Sequence, residues 1–197
     1  MSNVPEHVQP GDWFCVNTGA PVGKLIRFGE WLNGDGFHDY DHSAVVTQVD
    51  PLTVVEAAFR GAVEVPYHYF GRDIIWSTGL VEPPDRDAVV AAARRYIGTP
   101  YSFLDYAALV THRLRIPVPR LKSYIASTGH MICSQLVDQC ELEGGLHLFQ
   151  DGRWPGYVTP AALADLLLAI RARAHATGPS PSPSAPSTPP SPSSTHG

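Results

Sequence analysis

The order of local signals along the chain predicts an α+β fold rather than an alternating α/β one. Valine-rich apolar runs broken by turn residues crowd into the first half, and capped, helix-periodic stretches crowd into the second. With 197 residues, 44% of them hydrophobic, the chain has material for one core of ordinary size and too little for two large ones.

The elements follow in order. Gly11-Asp12 is a turn signal that opens an apolar strand, Trp13-Phe14-Cys15-Val16. Val22–Leu32 places Leu25, Ile26, Phe28, Trp31 and Leu32 at the spacing of a short amphipathic helix. A loop rich in Gly, Asp and His covers 34–41. His42–Val49 and Thr53–Phe59 then read as a hairpin around Asp50-Pro51-Leu52, with short strands expected at Val63–Val65 and Ile74–Trp76 and a closing one at Leu80-Val81. Asp85 is placed to cap a helix over Arg86–Ile97, which Gly98 stops. Ser102-Phe103-Leu104-Asp105 is a capping box for a helix reaching His112, and a loop with Pro117 and Pro119 follows. A helix over Ile132–Leu142 ends at Gly144-Gly145. Thr159-Pro160 starts a last one, with Leu163, Leu166, Leu167 and Ile170 on its apolar face.

Composition divides the chain into a leader at 1–9, one folded domain at 10–174 and a tail at 175–197. The last 20 residues hold seven prolines, seven serines and no large apolar side chain, too little buried surface to offset the entropy of ordering, so a disordered tail is expected. A net charge of −5 and only 14 Lys+Arg argue against nucleic-acid binding. No apolar run reaches the roughly 18–20 residues of a membrane span. The N-terminus lacks the basic and apolar regions of a secretory signal, so the expected location is the cytoplasm, or outside the cell by release or within a particle.

Three side chains stand out chemically. Cys133 lies at the expected start of a helix, where unpaired N–H groups and the helix dipole favour a thiolate and can also hold an oxyanion. The competing reading is a small buried hydrophobe, which fits Cys140 and Cys15 better. His42 opens a strand, where a rigidly held imidazole can take a thiol proton; the plain alternative is a surface histidine. Glu56 is a lone acid inside the apolar run TVVEAAF. A three-residue hairpin loop at Val49–Pro51 sets it opposite Ala44, on the face of His42 and roughly 7–8 Å from it at the backbone. A slip of one residue would turn Glu56 to the other face, as a solvent-exposed strand glutamate. His38 and His42 have the spacing of a helical metal pair, but the intervening Asp39-Tyr40-Asp41 and neighbouring glycines disfavour a helix. His130, close to Cys133, would have to fold back to act as its base.

The succession GDWF, HSAVV, VVEA, GTPYSF and ICSQLV, spanning about Gly11 to Leu168, resembles the NlpC superfamily of papain-like cysteine hydrolases. The histidine precedes the cysteine, as in its circularly permuted branch, the YiiX-like and LRAT-like group. The resemblance implies a permuted papain-like fold, Cys133 as nucleophile, His42 as base and Glu56 as the group orienting the imidazole. It places Tyr101 and Ser134 on the oxyanion or substrate side, although Tyr101 also reads as an ordinary core tyrosine. Ile132 and Gln135 depart from the Asp and Gly of the unpermuted pattern. The implied reaction is cleavage of an amide, by analogy in a cell-wall peptide, without metal or organic cofactor. The rivals are an LRAT-like acyltransferase or thioesterase acting on a lipid, with Val22–Leu32 and Tyr67–Phe70 lining the groove, and an inert wall-binding or structural module.

Overall fold

A computed structural model describes residues 3–19, 40–58, 61–100, 132–151 and 158–176. The expected helices at Val22–Leu32 and Ser102–His112, and the residues His38, Tyr101 and His130, lie outside the described residues.

Within them the fold is α+β. Five strands form one antiparallel sheet: β1 (Trp13–Val16), β2 (His42–Val49), β3 (Leu52–Ala58), β4 (Gly61–Pro66) and β5 (Ile74–Trp76), in spatial order β4-β3-β2-β1-β5. Three helices follow: α1 (Arg86–Arg95), α2 (Cys133–Glu143) and α3 (Pro160–Ala176).

The sheet is buried on both faces, which is why β1 and the middle of β2 are continuous apolar runs rather than alternating ones. One face, with Trp13, Cys15, Val45, Val55 and Ala57, packs against Val89 and Ala92 of α1, Leu136, Val137 and Cys140 of α2, and Leu163 and Leu167 of α3. The opposite face is aromatic: Phe14, Val16, Ala44, Val46 and Val54 lie against Tyr67, Tyr69 and Trp76. Phe14 is the centre of that cluster, with ring centroids 5.8 Å from Tyr67, 5.6 Å from Tyr69 and 4.6 Å from Trp76.

The β2–β3 hairpin reaches the expected register by a different route. Val49 pairs with Leu52, so the turn is only Asp50-Pro51, and a bulge between Val46 and Gln48 then restores Ala44 opposite Glu56. The shorter turn and the extra residue cancel, and Glu56 keeps its face.

The caps are those the sequence suggests. Asp85 accepts the Ala88 N–H at 2.9 Å, and the Thr159 hydroxyl accepts the Ala162 N–H at 3.1 Å. Three expectations are corrected. Leu80-Val81 forms no strand; both N–H groups turn back to the Ser77 carbonyl, at 2.8 and 2.9 Å, which points Val81 into the core. α1 ends at Arg95 rather than Ile97, because Tyr96 caps it and Gly98, at φ +87°, sends its N–H to Ala62 of β4 at 2.8 Å. α3 runs to Ala176, two residues into the stretch assigned to the tail.

Candidate active site

Three elements deliver the site. α2 begins at Cys133, with Ile132 as its N-cap in extended conformation. Isoleucine has no side-chain acceptor, and the N-cap N–H is instead taken by Gln135 Oε1 at 3.1 Å. The neighbouring Ser134 donates its hydroxyl to the Val158 carbonyl at 2.7 Å, tying the first turn of α2 to the residue before α3. That hydroxyl is fully buried and engaged, so the side chain of Ser134 anchors the start of the helix.

β2 supplies the imidazole. His42 is the first residue of the strand, on the aromatic face by alternation with Ala44, and its partner in β1 is Val16. Glu56 stands on the same face of β3, diagonal to it. His42 Nε2 lies 3.2 Å from Glu56 Oε2, with the two side chains 13% and 9% exposed. Nδ1 is thereby left for the sulfur of Cys133, with which the ring is in hydrogen-bond contact. The sulfur also receives the Ser43 N–H and is faced by the Ser43 hydroxyl. That hydroxyl is buried and makes no geometric hydrogen bond among the described residues.

The electrostatics follow from burial and charge together. Burial alone would lower the His42 pKa, but the charge and hydrogen bond of Cys133, and then those of Glu56, raise it well above the imidazole range. Burial alone would raise the Cys133 thiol; the His42 charge and hydrogen bond outweigh it, and the Ser43 donors add to the lowering. Glu56 is lowered despite its burial, by the His42 hydrogen bond and charge and by a hydrogen bond from Tyr69. The arrangement thus favours a thiolate–imidazolium pair backed by a carboxylate, and the thiolate is the form of cysteine that attacks carbonyl carbon. Cys133 is 2% exposed, so a reactant must open a path to the sulfur.

The expected Cys133, His42 and Glu56 therefore meet, while Tyr101 lies outside the described residues. Two residues were not foreseen as contacts of the Cys133–His42–Glu56 line, although the sequence reads the Tyr67–Phe70 stretch that holds Tyr69 as lining a lipid groove. Ser43 has a weak local signal: next to His42 on a strand, it must face the opposite side of the sheet, where the helix lies. Tyr69 has none beyond its place in an aromatic cluster. The other cysteines are core residues: Cys15 and Cys140 are fully buried, and burial raises the Cys140 thiol. Among the described residues no cluster of His, Cys, Asp or Glu is placed to hold a metal ion, and no helix is long and apolar enough to cross a membrane.

No protein-family model matches the chain, and no curated protein matches it.

Proposed function

We propose that the chain is a cysteine hydrolase with the permuted papain-like arrangement of the NlpC superfamily, cleaving an amide bond through an acyl-enzyme. The observation that carries this reading is the buried line Cys133–His42–Glu56, assembled from a helix N-terminus and two strands. In the mechanism, the Cys133 thiolate attacks the carbonyl carbon, with a backbone N–H of the first α2 turn stabilising the developing oxyanion. The His42 imidazolium gives its proton to the leaving amine. Neutral His42 then takes a proton from water, which attacks the thioester and releases the acid and the Cys133 thiolate. Glu56 holds the ring and offsets its positive charge. A cell-wall peptide as substrate rests on the resemblance alone.

The test offers the full chain a muropeptide and a fluorogenic acyl ester in parallel, with Cys133→Ala as control. Amide cleavage that disappears in the variant supports the proposal. Turnover of the ester alone removes the amidase reading in favour of an acyl-lipid substrate. No turnover, with Cys133 alkylating like an ordinary thiol, leaves an inert module.

A further inference from the structure

We infer that Tyr69 is a positioning residue of this centre: its phenolic O–H holds the Glu56 carboxylate, and through it the His42 ring, in the orientation that serves Cys133. The inference rests on the proposed hydrolase reading and adds a fourth member to its line.

Two donors converge on one oxygen. His42 Nε2 lies 3.2 Å from Glu56 Oε2, and the Tyr69 hydroxyl donates to that same Oε2. A glutamate has three rotatable side-chain bonds, several staggered rotamers and a broad terminal torsion. A single imidazole contact leaves it free to swing, whereas a second donor at the same atom fixes where the lone pair facing His42 points. The phenol is itself rigidly held. Its ring packs 5.6 Å from Phe14 and 6.0 Å from Tyr67, and lies 5.9 Å from the His42 ring. Its backbone carbonyl accepts from Asn3 Nδ2 at 2.8 Å and from the Arg72 N–H at 3.2 Å. The titratable groups facing it are Glu56, Cys133 and Asp41, with the His68 ring 4.2 Å away. Burial and the anionic neighbours push the Tyr69 phenol far above its ordinary range, so it stays a donor wherever the site works.

Tyr67 provides an internal comparison. It sits in the same cluster, but its hydroxyl donates to Asn3 Oδ1 at 2.8 Å and does not touch Glu56. The experiment is the rate of iodoacetamide alkylation of Cys133 against pH in the full-length wild type, Tyr69→Phe and Tyr67→Phe. Loss of the Tyr69 donor leaves a poorly held carboxylate, weaker support for the imidazolium and a less stabilised thiolate. The acid limb in Tyr69→Phe should move up by about one pH unit, about tenfold in rate on that limb, while Tyr67→Phe stays with the wild type. An acid-shifted wild-type profile unmoved by Tyr69→Phe, or moved equally by Tyr67→Phe, overturns the role of Tyr69 and leaves the hydrolase reading standing. A wild-type profile of an ordinary thiol overturns both. If Tyr69→Phe does not fold, the wild-type Tyr69 hydroxyl proton decides by NMR. A slowly exchanging, downfield signal that shifts in Glu56→Gln supports the inference, and its absence overturns it.

Discussion

Cys133 gains its character from neighbours rather than from its own position. The helix start favours a thiolate, but burial opposes it, and His42 decides the outcome. The pH windows follow from the signs. His42 is raised, so its contribution to stability is complete below the ordinary imidazole value and is lost as pH climbs through the raised one. Cys133 is lowered, so its contribution is present above the ordinary thiol value and is lost as pH falls through the lowered one. The charged pair exists between those limits. Alkylation of Cys133 should therefore rise at a lower pH than that of a free thiol, and peptide mass mapping should find label at Cys133 before Cys15 or Cys140. His42→Ala should restore a profile that rises only on the alkaline side. Glu56→Gln keeps the shape but removes the charge that balances the imidazolium, and a fall of about tenfold in the neutral alkylation rate is expected.

At the scale of elements, the nucleophile is aimed by contacts at both ends of α2. Its start is fastened by Ser134 to Val158. Its end closes on α1 through Gly144, whose carbonyl accepts the Asp85 N–H at 3.1 Å. A Cβ at Gly144 would stand 2.3 Å from Val89 Cγ2 and 3.0 Å from the Asp85 carbonyl oxygen, so only a hydrogen fits there. Gly144→Ala should cost about 1–3 kcal/mol by denaturant titration, and Val89→Ala in the same chain should recover part of it. Ser134→Ala strands a buried carbonyl and should cost about 1–3 kcal/mol by the same titration. It should also slow alkylation of Cys133 where Gly144→Ala does not, because the lost tie is beside the sulfur. The helix caps were legible in sequence because they are local: Asp85 and Thr159 each act within three residues. The Asp50-Pro51 turn and its compensating bulge were not, because a strand can absorb one extra residue wherever packing allows.

For the whole molecule the most consequential group outside the site is Glu141. It is fully buried on α2, and neither carboxylate oxygen has a hydrogen-bond partner among the described residues. Burial, relieved in part by Arg86 and reinforced by the negative charges of Asp12, Asp138 and Glu82, pushes its pKa up to about 8. The folded chain thus holds a proton that the unfolded chain releases at lower pH. Stability falls as pH rises from the ordinary carboxylate value to about 8 and is then level. Glu141→Gln should be close to neutral in acid and stabilising on the alkaline side. The difference between the two is on the order of a few kcal/mol, read from thermal or denaturant midpoints at the two pH values. The partners of this group come from the start of β1, the turn before α1 and α1 itself, an assembly no single stretch of sequence displays.

What the chain's own order of residues determined is the local part: strands before helices, the caps of α1 and α3, the apolar faces, and the identity of a cysteine at a helix start. These rest on periodicity and on hydrogen bonds spanning three or four residues, which any segment carries with it. Tertiary structure alone decided that the His42 ring, on the aromatic face, meets a sulfur approaching from the helix face, that Ser43 lies against that sulfur, and that Tyr69 reaches Glu56. The reason is physical. Each of those contacts joins segments distant along the chain, and its geometry is set by how sheet and helices pack, to within a fraction of a hydrogen-bond length that no periodicity encodes.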